Sequence, residues 1–308
     1  MSTATTAPPH PGPGPDPVTT GPAGPGRAGL AQAVVSEWTK LRSVRSTWVA
    51  LAVVVVAGVG LSALVSNIEA GRWAGLGLAD RAQFDPVRFS QTGEFISQFV
   101  VGVLGALIVT SEYATGAVRT TLATLPRRMS VLFGKGIVLA GVIFVVTEVT
   151  AFLSFFVSQW VLTAHGGRAL PAGSTIVTQV TSSTIPVVSI THAGALRAVF
   201  LCGVYLTLLA LMAFGIGFIL RHTAGVISLY VGLLLVIPLI VQILPSSLSD
   251  PIERYLPSNL GLAMIVVTTR KTDFAGVLMT PWAAVATLTL YTAAFVALGA
   301  WLLVRRDA

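Results

Sequence analysis

The side chains able to do chemistry are few in this sequence, and they are scattered. Cys202 is the only cysteine and sits in an apolar run, so the chain has no internal disulfide and no CxxC or Cys/His metal cluster. His10, His165, His192 and His222 stand singly in tail or loop positions, without a second histidine at i+4. Gly134-Lys135-Gly136 superficially resembles the end of a P-loop. It lacks the Ser/Thr that would hold magnesium, and Met129 stands where that pattern needs glycine. No nucleophile–base pair and no cofactor motif is present, so the chain is read as a non-enzyme needing no cofactor or metal. What remains is a set of polar groups inside apolar stretches. Glu148 lies about 18 Å along its helix from Gly136, near a bilayer midplane, with Phe144, Phe152, Phe155 and Gln159 on its face. A carboxyl there must face protein or water. It is either a polar contact in a substrate path or a protonated or Ser/Thr-bonded group that joins helices. Glu94, Gln98, Gly102 and Gly105 share one stripe, which suits close helix packing, a homodimer interface or a substrate path.

The elements that must position these groups are transmembrane helices. Charged residues make up only 10% of the 308 residues against 54% hydrophobic, and mean hydropathy is +0.83. A soluble domain carries about a quarter charged residues, so lipid is the solvent this composition fits. Six apolar segments are expected to span at about 48–68, 95–111, 136–160, 198–220, 223–244 and 282–304. None alternates with the period of a β-barrel strand, so the predicted fold is an all-α integral membrane protein. Pro238 should kink the fifth span.

Residues 1–29, rich in Pro, Gly, Ala and Thr, are expected to form a disordered tail. This tail has no charged start followed by an apolar core, so it is not read as a cleavable signal peptide. Residues 30–308 form the predicted six-helix transmembrane domain. Leu30 to Thr47 reads as an amphipathic helix on the membrane surface: Leu30, Val34, Trp38 and Leu41 make an apolar stripe, while Glu37, Lys40, Arg42 and Arg45 take other faces. An ordinary basic flank of the next helix is the alternative. With the tail inside, the cytoplasmic side holds eleven basic residues against four acidic ones, and the outer side eight against seven. That asymmetry follows the positive-inside rule and puts both termini in the cytoplasm of a multi-pass cell-membrane protein. The net charge of +7 is therefore read as a topology signal rather than nucleic-acid binding. Outside, 163–197 should be irregular or short β. Leu260 to Val267 is too short to span and is either a re-entrant or interfacial helix or an ordinary loop.

The segment between the second and third spans carries the functional expectation. Val118, Leu122 and Leu125 make one apolar edge of a short helix that Pro126 stops, and Gly116 allows a sharp turn out of the span. A short exposed helix with basic flanks is a docking element. Ser36-Glu37-Trp38-Thr39-Lys40-Leu41-Arg42 through Trp48, Glu112-Tyr113 through Arg128, and Tyr255-Leu256-Pro257-Ser258-Asn259 together resemble the permease subunits of type-2 ABC transporters, especially actinobacterial ones. The resemblance covers residues 30–308. It implies an exporter of two permease subunits, alike or different, and two cytoplasmic ABC ATPases, with the surface helix as an elbow and the loop as a coupling helix. Carried onto this chain, Glu112, Gly116, Arg119, Leu122, Leu125, Arg127 and Arg128 would couple to the ATPase. Gln98, Glu148 and Gln159 are candidates for a substrate path or for helix packing. An amphipathic or hydrophobic substrate fits the sparse polar lining. The competing readings are an ion-coupled secondary transporter, disfavoured by a single midplane glutamate, an intramembrane enzyme, disfavoured because no span contains a His or Asp, and a non-transporting anchor or sensor.

Overall fold

A computed structural model describes residues 30–81, 84–116, 128–171, 184–267 and 278–306. Six helices in it are long and apolar enough to cross a membrane: Arg45–Gly75, Glu94–Thr115, Met129–Ala164, Ala195–Leu220, Thr223–Val241 and Pro281–Arg305. The chain is an all-α, multi-pass membrane protein, and these helices are its first to sixth spans. A separate helix, Leu30–Ser43, precedes the first span and marks what we call the basal end of the bundle.

The first span buries one narrow stripe: Leu51, Val54, Gly58, Ser62, Ser66 and Ala70. Small residues recur there at nearly every fourth position, which lets a neighbouring backbone come close. The start of the second span does so: a Cβ on Gly93 would fall 1.9 Å from the Gly58 carbonyl oxygen, and the Gly93 amide donates to Ser62 Oγ at 2.9 Å. The fourth span is the axis of the fold. Its apolar window is 78% buried, against 22% for the fifth and sixth, and it packs on the second, third and sixth spans. Glycines set those distances too. A Cβ on Gly105 would meet the Ala210 carbonyl oxygen at 2.2 Å, and one on Gly215 would meet the Phe295 backbone at 2.7 Å.

Where Pro238 was expected to kink the fifth span, the structure shows the helix widened just before it. Residues Gly232–Val236 form a π turn, and the Ile237 amide bonds back five residues to Gly232. Widening the helix by one residue absorbs the clash between the proline ring and the preceding turn.

The end opposite the basal one is built from short pieces. Arg168–Ala169 and Pro186–Val187 pair as a two-residue parallel bridge within the stretch expected to be irregular or short β. Helix Pro257–Ile265 covers most of the Leu260–Val267 patch, with Leu260 and Met264 fully buried against the fourth and sixth spans. Asp85 organises this end: one carboxylate oxygen accepts the Val87 and Arg88 amides and so caps helix Pro86–Ser90, and the other accepts the Val267 amide at 3.0 Å.

The glycine contacts predict opposite outcomes for one substitution at two sites. Gly105→Ala should destabilise the bundle by about 1–3 kcal/mol through overpacking. Gly141→Ala, where nothing lies within 4 Å, should instead gain up to about 1 kcal/mol of helix propensity. Unfolding midpoints of the two variants in one detergent check both.

Candidate functional site

The densest charge cluster in the described residues lies at the basal end, where three separate elements meet. Lys135, seven residues into the third span, is only 5% exposed. Its ammonium donates to Glu37 Oε2 on the surface helix and to Glu112 Oε1 at the end of the second span, each at 2.6 Å. Lys40 completes the cluster from outside, donating to Glu37 Oε1 at 2.9 Å and to Glu112 Oε1 at 3.3 Å. Two ammoniums and two carboxylates thus share hydrogen bonds, so the interior charge is compensated on every side. Partial burial alone would lower the Lys40 pKa. The hydrogen bonds and charges of Glu37 and Glu112 outweigh that, and the net shift is upward.

Local sequence makes this meeting possible. A Cβ on Gly134 would lie 3.0 Å from Ala33 Cβ, so glycine beside Lys135 lets the surface helix settle on the third span. The Gly-Lys-Gly triplet that superficially resembles a P-loop is here a helix-packing notch. The surface helix ends at Ser43 rather than Thr47, and its buried face is Ala33, Glu37 and Leu41. Leu30, Val35 and Trp38 are uncovered by protein. The expected apolar stripe is therefore divided: Leu30 and Trp38 are exposed, Val34 is half-buried and Leu41 faces the bundle, because the ion pairs draw the Glu37 edge inward.

The same end of the second span is tied on its other side. The Tyr113 ring lies under the Arg221 guanidinium, 4.9 Å from centroid to carbon, and edge-on to Phe218 at 6.4 Å. Thr223 and Thr110 hydroxyls share a 2.8 Å hydrogen bond. Arg221 closes the tight turn between the fourth and fifth spans at φ 57°, the one positive φ outside glycine among the described residues. Gly116 ends the second span in the left-handed conformation at φ 71°, which supplies the sharp exit expected of it.

Of the predicted coupling residues, Glu112 and Gly116 sit in this junction. Arg119, Leu122, Leu125 and Arg127 lie outside the described residues, and Arg128 opens the helix that carries Lys135. The three candidates for a substrate path are not brought together. Gln98 is 4% exposed; its side-chain oxygen accepts the Tyr205 hydroxyl at 2.8 Å and its backbone carbonyl accepts the Tyr230 hydroxyl at 2.7 Å. The Tyr230 ring covers Gly102, so the whole Glu94-to-Gly105 stripe faces the fourth and fifth spans of its own chain rather than a second copy. Gln159 is at the far end, accepting the Val188 amide and donating to the Pro86 carbonyl. Glu148 lies against Gly203 of the fourth span, where a Cβ would meet its carboxyl at 2.5 Å. Neither Glu148 oxygen has a hydrogen-bond partner among the described residues, so the Ser/Thr-bonded form is not the one observed.

Sequence reasoning missed the roles of Glu37, Lys40, Lys135 and Arg221, treating them as topology charges. The available signal was Lys135, a lone cation between glycines inside an apolar helix start. Among the described residues no His, Cys, Asp and Glu side chains are grouped to hold a metal ion. No protein-family model matches the chain, and no curated protein matches it either.

The network predicts a non-additive stability pattern. Lys135→Met leaves Glu37 and Glu112 with only the more exposed Lys40 and should cost up to about 3–5 kcal/mol. Adding Glu37→Gln and Glu112→Gln should recover a large part of that loss. Thermal unfolding of the single and triple variants in detergent measures the recovery. Because the Lys40 pKa is raised on folding, its stabilisation is intact below about 10.5 and fades as pH climbs through the raised value. Lys40→Met should therefore flatten the alkaline limb of the stability–pH curve.

Proposed function

We propose that this chain is the permease subunit of a type-2 ATP-binding-cassette exporter, with both termini in the cytoplasm of the cell-membrane protein. Its ATPase is a separate chain that docks on residues 112–128, and the permease works with a second permease subunit. The observation that carries this reading is the convergence of four elements on the end of the second span from which that segment leaves. A displacement of Glu112 pulls the surface helix through Glu37 and the third span through Lys135. A displacement of Tyr113 moves the turn between the fourth and fifth spans through Arg221. A nucleotide-driven partner pressing on one short segment would thus reach most of the bundle, which is what coupling requires of a two-state element. The resemblance of the Glu112-to-Arg128 motif supports the same reading. An amphipathic or hydrophobic cargo fits spans with few polar side chains, of which Gln98 is occupied with Tyr205 and Tyr230.

Ion-coupled transport is the second reading, and one observation favours it: the Glu148 carboxyl is buried without a hydrogen-bond partner among the described residues. The two separate by experiment. Under the ATPase reading, the tagged chain isolated from its own cell carries a P-loop ATPase, and Arg119→Glu uncouples ATP hydrolysis from transport while insertion is unchanged. Glu148→Gln then leaves ATP-driven transport within about twofold of the parent, because no step passes through that proton. Transport that survives without ATP, follows a proton gradient and is lost in Glu148→Gln would replace the ABC reading with the ion-coupled one. Wild-type coupling in Arg119→Glu would remove the loop assignment alone.

A further inference from the structure

The fifth span is attached along only half of its length. Its basal half, Thr223–Val231, packs on the second and fourth spans. Two hydrogen bonds pin that half: Thr223 Oγ1 donates to Thr110 Oγ1 at 2.8 Å, and the Tyr230 hydroxyl donates to the Gln98 carbonyl at 2.7 Å. Val226 and Tyr230 are buried in the core. Beyond the π turn no comparable packing on the second span continues among the described residues. The π turn leans instead on helix Pro257–Ile265. In Ile237–Val241 the side chains of Ile237, Leu239 and Ile240 are exposed, and Val241 is buried.

Register says what the loose half can cover. The second and fifth spans run antiparallel, with Thr110 facing Thr223 and Gly102 facing the Tyr230 ring. Seven residues farther along each span from that second contact, Ile237 comes level with Phe95. Phe95 and Ile96 are exposed there. A fifth span that stayed regular would lie over Phe95, and the widened turn carries it away. Exchange between the two shapes costs few hydrogen bonds. Closing the π turn to α geometry moves the Ile237 amide from the Gly232 carbonyl to that of Leu233, so the bond is traded rather than lost. Pro238 has no amide to give up. Its ring resists the α geometry, while packing on Phe95 favours it. Lipid is as apolar as these side chains, so their burial does not lock either shape.

We infer that Ile237–Val241 is a hinged flap. Bending at Gly232–Val236 swings it between its present place beside helix Pro257–Ile265 and a closed place over Phe95. The movement opens and shuts the far half of the seam between the second and fifth spans to hydrocarbon. The inference needs the chain to be in a bilayer but does not need an ATPase, so its failure and that of the exporter reading are separable.

Spin-label distances in the full-length protein test it, in phosphatidylcholine nanodiscs and with Cys202→Ser removing the one native thiol. Val56, Leu229 and Ile240 are all exposed, so labels there leave the core intact. Labels on Val56→Cys and Ile240→Cys should give two distance populations, whereas Val56→Cys with Leu229→Cys, on the pinned half, gives one. Pro238→Ala relieves the ring clash and should raise the ratio of closed to open shape about fivefold. Closure itself is read without that variant: on oxidation, Phe95→Cys and Ile237→Cys should form a disulfide within one chain. A single population at Ile240, equal spread at Ile240 and Leu229, an unshifted ratio in Pro238→Ala, or absence of the disulfide overturns the proposal.

Discussion

One buried ammonium decides how the basal end is assembled. Lys135 is nearly sealed from solvent, and an ion in that position is tolerable only when opposite charges reach it with good geometry. Two carboxylates do, at 2.6 Å, and they come from elements 98 and 23 residues away. This single requirement fixes the roll of the surface helix, which must turn Glu37 inward and therefore leaves Trp38 and Val35 outside. It fixes the axial register of the second span against the third, since Glu112 has to end level with Lys135. Close packing at Gly134 and Ala33 follows from the same need, because a larger residue there would hold the surface helix off its counter-charge.

Along the bundle axis, interactions change in kind. The middle is held by small residues and neutral hydrogen bonds: Gln98 with Tyr205 and Tyr230, Thr147 with the Gly203 carbonyl, and Thr292 with the Leu208 carbonyl. Each is directional, and each would cost more to break in lipid than in water because nothing replaces it. The far end is stitched mainly by side chains to backbone, through Asp85, Gln91 and Gln159. Among the described residues, charges shared between separate elements are found at the basal end, where each carboxylate or ammonium has more than one partner. Rigid packing above and exchangeable charge pairs below give the bundle one end that an approaching charged surface can rearrange.

Much of the architecture was legible because lipid imposes a simple rule. A chain that cannot leave backbone groups unpaired in hydrocarbon must form helices wherever the sequence is apolar for long enough. The Pro238 distortion and the Gly116 turn were likewise visible, since each depends on one residue's covalent geometry. Partner choice was not legible. Gln98 and Gln159 share a side chain and a membrane setting, yet one binds tyrosines in the core and the other binds the Val188 amide and the Pro86 carbonyl. Their sequence neighbours do not distinguish them; the register of distant helices does. The apolar stripe on the surface helix was legible as a stripe but not in its partners. Periodicity identifies an apolar face but not what covers it: Leu30 and Trp38 are exposed, Val34 is half-buried and Leu41 is buried against the bundle.

The strained turn at Arg221 bears on how the two sides of the second span act together. A non-glycine residue at φ 57° costs of order 1–2 kcal/mol, and glycine at the same position would avoid it. The arginine gives something a glycine cannot: a guanidinium that reaches across to Tyr113. Tyr113 follows Glu112 directly, so consecutive residues, about 100° apart around the helix, carry interactions to different neighbours. One contacts the surface helix and third span, the other the turn joining the fourth and fifth. The end of the second span is therefore held from two directions rather than pinned from one.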